Sequence, residues 1–214
     1  MRFCRLGLCL LFFALLPLQA TTVAAVNVAD LSKTATHIFE GRCLEIEHIT
    51  VKDSRGEVDL PAVRYTFEIL DSLKGKQSQT FVFQQLGNAV NGVHFPISAD
   101  KIGVPKYSKG ETYLIFLGGL SKSGLCLPVG LAQGLFVIRE QEAYNGFSNA
   151  HIFAEMKASD QNSPHQSLIL AAQQTPLPSS GKRAEGISAT ALKAMVRDLV
   201  RGAFTAPTRL GGDQ

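Results

Sequence analysis

The chain has no tryptophan and only four cysteines in 214 residues. Two of the four, Cys4 and Cys9, lie in an apolar leader. Once that leader is removed, one intramolecular disulfide is the most the chain can form, which excludes a disulfide-stapled mini-domain. Charge is sparse too, at 18% against 45% hydrophobic residues, so a core can form without staples. The formal net charge of +3 falls to +1 when Arg2 and Arg5 leave with the leader. A protein so close to neutrality has no electrostatic footprint for nucleic acid. The long apolar run at residues 6–16 falls short of the roughly 20 residues of a membrane span, so no stable span is expected after processing.

Chemical signatures are missing as well. Five histidines are present, His37, His48, His94, His151 and His165, and none pairs at a spacing that sets two ligands on one helix face. Glu45, Glu47 and His48 are neighbours, but alternation along a strand sends His48 to the opposite side. Gly75-Lys76 lacks the upstream glycine and the following Ser or Thr of a phosphate loop. Residues 146–150, GFSNA, are a degraded nucleophile elbow around Ser148 without its second glycine. Cys43 and Cys126 are too far apart for a CxxC redox pair. No cofactor or metal site is expected.

What is present begins with export. Two arginines, an apolar run, Pro17 and the small residues of TTVAA follow the order of a secretory signal peptide over residues 1–25, cleaved after Ala25 or after Ala20. The protein is therefore expected to be periplasmic or secreted. In that oxidising setting Cys43 and Cys126 have two readings, a disulfide closing a long loop or two separate buried thiols.

The body reads as β. Residues 63–75, VRYTFEILDSLKG, place Val63, Tyr65, Phe67 and Ile69 on one face and Arg64, Thr66 and Glu68 on the other, the period of a half-buried strand. Residues 37–49 read as a second strand, with Ile38, Leu44 and Ile46 opposite Phe39, Gly41 and Cys43; Gly41 marks a bulge or bend. Residues 79–86 form a third. Residues 110–117, GETYLIFL, are apolar on both faces, which predicts a central strand covered on both sides. Residues 125–129 and 134–140 read as two more strands. Residues 87–109 form a long irregular stretch whose recurring apolar residues predict an anchored loop. Ser32 or Asp30 is expected to cap one helical turn near the start. Residues 159–186 read as a flexible linker interrupted by an apolar patch. Ser188 then caps an amphipathic helix over residues 187–203, followed by a tail at 204–214.

These residues together carry a resemblance. The ordered set is Gly41, Leu73-Lys74-Gly75, the run from Gly103 through Tyr107, Gly110, Glu111 and Tyr113 to Leu117, and then Gly130 to Phe136. It resembles a family of bacterial exported proteins that is itself similar to the netrin-like module of the tissue inhibitors of metalloproteinases. The resemblance implies an all-β, OB/netrin-like antiparallel barrel over residues 26–158 with minor flanking helix. It carries over no inhibitory residue, because neither cleavage site exposes a cysteine. The expected role is non-enzymatic binding of a protein or envelope component through a barrel face and the 87–109 loop, at Arg64, Glu68, Asn88, Asn91, His94, Lys101 and Lys106. Regulation of a secreted metalloprotease and hydrolysis through Ser148 or a histidine are the alternatives.

Overall fold

A computed structural model describes residues 25–75, 78–94, 99–154, 156, 165–174 and 186–202. The leader up to residue 24 and the tail lie outside them. The elements are α1 (Val28–Thr34), β1 (His37–Lys52), β2 (Asp59–Lys74), β3 (Thr80–Leu86), β4 (Ala89–Val90), β5 (Val93–His94), β6 (Thr112–Leu117), β7 (Leu135–Arg139), β8 (Glu142–Asn145), α2 (Gln166–Gln174), β9 (Ile187–Ser188) and α3 (Ala189–Arg201). Seven strands form one sheet in the order β3-β2-β1-β6-β7-β8-β9. Every pairing in it is antiparallel. The protein is thus mostly β with a few helices. Among the described residues no helix is long and apolar enough to cross a membrane.

Both faces of this sheet are covered, and β6 shows why its sequence is apolar throughout. Leu114 and Phe116 enter a core with Ile38 and Phe136 that α1 and α3 close with Leu31, Leu192, Met195 and Val196. Tyr113, Ile115 and Leu117 enter the opposite core with Phe39, Tyr65, Phe67 and Phe83. Each such side chain taken fully out of water contributes about 1.5–3 kcal/mol relative to exposure. The alternation expected for β2 holds, since Val63, Tyr65 and Phe67 are buried and Ile69 packs against the same core.

The second core is roofed by the long loop. Tyr107 inserts its ring among Tyr65, Phe67, Phe83 and Tyr113, at centroid distances of 4.6, 5.3, 5.6 and 5.2 Å and steep interplanar angles. These are the edge-to-face contacts that aromatic quadrupoles favour. The loop begins with a small hairpin, β4–β5, turned by Asn91 (φ 49°) and Gly92 (φ 79°). The segment after β6 bridges two strands. Cys126 N–H donates to Gln84 of β3 at 2.7 Å, and Gly118 N–H donates to Leu127 at 2.9 Å.

Several expectations are corrected. Leu44 does not share a face with Ile38 and Ile46. The β1–β2 register shifts between Cys43 and Glu45, so Leu44 is extruded, 38% exposed, and Ile46 packs with Phe39 and Cys43 instead. A second shift falls between Glu40 and Gly41, where a Cβ on Gly41 would lie 2.9 Å from the Glu68 carbonyl oxygen; the glycine marks a bulge as expected. The cap of α1 is Asn27, whose side chain accepts from Asp30 N–H at 2.9 Å, while Ser32 is buried inside the helix. Residues 125–129 make isolated bridges rather than a strand. The 159–186 stretch contains a helix, α2, in place of plain linker, because the SLILAA patch buries Ile169 in the helical core. The C-terminal helix forms where expected, with Ser188 accepting from Ala191 N–H and Gly202 closing the end at φ 73°.

Candidate functional site

Four of the residues expected to form a binding surface, Arg64, Glu68, Asn88 and Lys106, are engaged with neighbouring charged side chains. On the outer face of β1 and β2, Arg64 pairs with Glu47 at 2.9 Å and Glu68 with Arg42 at 3.6 Å. The strand register puts Glu47 opposite Arg64 and Arg42 opposite Glu68, so the charges cancel as cross-strand pairs. In the loop, Asp100 accepts from Asn88 Nδ2 at 3.0 Å and pairs with Lys106 at 2.8 Å. The hydrogen bonds from Lys106 and then Asn88 hold the Asp100 carboxyl below the usual carboxylate range. This clasp closes the loop on itself. Lys101 is exposed beside it, Asn91 sits in the hairpin turn, and the His94 side chain lies outside what is described. Ser148 is exposed in a turn at φ 55°, and its hydroxyl makes no hydrogen bond among the described residues.

A cleft of about 410 Å³ opens elsewhere, lined by Pro105, Ala132, Leu135, Val137, Arg139 and Tyr144 among others. Leu135, Val137 and Arg139 alternate along β7, so they share the face that carries the second core, and Tyr144 of β8 stands opposite Val137. Among the described residues, the loop that roofs this core reaches the cleft at Pro105. Its size falls in the range of small-molecule sites, and its floor is apolar with a few polar groups at the rim.

Irregular backbone builds the walls. Among the described residues seven non-glycine residues have positive φ. Six of them fall in segments that border lining residues in sequence: Leu131; Glu140 and Gln141; and Ser148, Asn149 and His151. Of the six, Glu140 itself lines the cleft. Such residues cost of order 1–3 kcal/mol each and persist only where their surroundings over-determine them. The supports are visible. Asn145 accepts from Phe147 N–H and Asn149 N–H at 3.0 and 2.8 Å, and its amide donates to the Gln133 carbonyl at 3.3 Å. Gly146 N–H donates to Ala132 at 3.1 Å, and a Cβ on Gly146 would meet the Ala132 methyl at 2.7 Å. Gln133 in turn accepts from Val26 N–H at 2.9 Å. Val28 N–H donates to Ile152 at 2.8 Å. The first residues after the expected Ala25 cleavage are therefore stitched into the wall behind the cleft.

The chemistry of the cleft is sparse. Arg139 is its cation; the guanidinium has one carboxylate neighbour, Glu111, 3.6 Å from Nε, and makes no hydrogen bond among the described residues. Tyr144 donates its hydroxyl proton to Glu142. Glu140 also lines the cleft. Among the described residues no three His, Cys, Asp or Glu side chains gather as a metal-ligand set.

Of the two readings of Cys43 and Cys126, the structure has the separate buried thiols. Both are free and buried in the second core. Cys126 Sγ donates to the Gly118 carbonyl at 3.1 Å. Burial pushes both thiols up, which makes them poor nucleophiles.

Sequence reasoning missed Arg139, Val137 and Tyr144. The strand at 134–140 was legible, but β8 was not, and the cleft draws on segments near 105, 132–140 and 144–146. The non-glycine turn Glu140-Gln141 between apolar strands was the one available signal. No protein-family model matches the chain, and no curated protein is detectably similar to it.

Proposed function

We propose that this is an exported, non-enzymatic binding domain, built on an OB/netrin-like barrel, that recognises a protein segment or envelope component in the cleft over β7 and β8. The all-antiparallel sheet, the aromatic core and the 125–128 segment that bridges β3 and β6 support the barrel reading. OB-type barrels bind on one sheet face and its adjoining loops. The observation that carries the proposal is an apolar-floored cleft whose lining at 132, 139–140 and 144–146 adjoins segments of positive-φ backbone held by side-chain hydrogen bonds. The 87–109 loop keeps a part in it through Pro105. The Arg64/Glu68 face takes none, because its charges are spent on each other.

Amide chemical-shift mapping tests this against a panel of short peptides and envelope-derived fragments. Binding is expected to move Ala132, Val137, Tyr144 and Gly146 together, and Val137→Trp, which fills the floor, abolishes the response. Shifts confined to the β1–β2 outer face, or to Asn88, Asp100 and Lys106, would overturn the assignment.

A further inference from the structure

We infer that the cleft selects a ligand bearing one carboxylate on an apolar body, with Arg139 as the group that reads the carboxylate. The inference rests on the cleft being the binding site, and adds the ligand's chemistry to it.

The first ground is the state of Arg139. A guanidinium carries five N–H donors in a planar fork that matches a carboxylate. Here Nε lies 3.6 Å from Glu111 Oε2, beyond hydrogen-bond distance, and no described residue accepts from the fork. The side chain is 58% exposed, at the outer end of β7 where the cleft opens. By contrast, Arg197 near the opposite core binds both oxygens of Asp71 at 2.6 and 2.7 Å. Arg139 thus lines the cleft with its charge loosely paired to Glu111 and with no hydrogen bond from its fork among the described residues.

The second ground is the floor. Ala132, Leu135, Val137 and Pro105 offer no charge to pair with and no donor of their own side chains. They suit an aliphatic or aromatic body lying along β7 toward the second core. The remaining polar groups narrow the class further. Tyr144 spends its hydroxyl proton on Glu142 and the Asn145 amide donates to the Gln133 carbonyl, so Arg139 is the main side-chain donor that the lining offers a ligand. Glu140 stands at the rim next to Arg139, where it repels a second negative charge. One cation beside two carboxylates, Glu111 and Glu140, favours a monocarboxylate over a dicarboxylate or phosphate. The turn Glu140-Gln141, with φ of 51° and 67°, directly follows Arg139.

A carboxylate of this kind can come from the C-terminus of a peptide or from a free organic acid. The test uses matched pairs: N-acetyl-Leu-Phe with a free C-terminus against its amide, and 4-phenylbutyrate against 4-phenylbutyramide. The full chain, Arg139→Gln and Arg139→Lys are titrated by amide chemical-shift mapping. Each acid is expected to bind about tenfold tighter than its amide, the scale of one charge-assisted pair. Arg139→Gln removes that preference, so that each acid binds no tighter than its amide. Arg139→Lys restores only part of it, because the fork is lost. A preference in the peptide pair alone identifies a chain terminus as the source; one in the organic-acid pair alone identifies a free acid. Equal binding of acid and amide at the cleft overturns the carboxylate assignment while the cleft reading stands. Absence of any response at the cleft overturns both.

Discussion

Helix α3 is held to the sheet by apolar packing and by four charges, and the charges give a quantitative test. Arg197 Nη2 donates to both oxygens of Asp71 at 2.6 and 2.7 Å. Lys193, one turn earlier, lies 3.2 Å from Asp71 and also pairs with Glu40. At a charge separation of about 4 Å and an effective dielectric of about 20, the Asp71–Arg197 attraction is about 4 kcal/mol. Desolvation offsets much of it. The Arg197 side chain is 37% exposed and Asp71 22%, so water screens the pair further. The net coupling expected from a cycle of Asp71→Ala, Arg197→Ala and the double variant is about 1–2 kcal/mol near pH 7, read by chemical denaturation. Burial alone would raise the Asp71 carboxyl, but the hydrogen bonds from Arg197 and then Lys193 outweigh it and the value is lowered. A depressed folded value means the stabilisation is complete above the unfolded carboxylate value near 3.9 and is lost as pH falls through the lower folded one. The coupling therefore disappears on acidification. A coupling inside the ~0.3–0.5 kcal/mol scatter of additivity, or one that survives full protonation of Asp71, refutes the reasoning.

Two further outcomes follow from the second core. The Tyr107 hydroxyl is buried and has no hydrogen-bond partner among the described residues, whereas the Tyr113 oxygen accepts from Ser108 N–H at 2.8 Å. Tyr107→Phe is thus expected to stabilise the protein by about 1 kcal/mol and Tyr113→Phe to destabilise it by a similar amount, measured by thermal and denaturant unfolding; a destabilised Tyr107→Phe contradicts this. In protein starting at Val26, Cys43 and Cys126 are expected to resist a thiol reagent while folded and to titrate as two free thiols once unfolded without reductant. A mass two hydrogens short, with no titratable thiol, restores the disulfide.

The local periodicities of this chain determined a good deal. Alternation in residues 63–69 named the buried face of β2, and a run apolar on both faces named β6 as the strand between two cores. Ser188 and Gly202 bounded α3, since caps act within one turn of their own position. Tertiary structure decided what depends on a partner. Leu44 looked like a core residue because its sequence neighbours could not reveal that β2 skips it at a bulge. Arg64 and Glu68 looked available because register, which pairs them with Glu47 and Arg42, is set between strands and not along one. The cleft is the extreme case: Pro105, Val137 and Tyr144 line one cavity only when the loop, β7 and β8 come together. Periodicity is a property of a few consecutive residues, while a site is a property of surfaces that folding brings into contact.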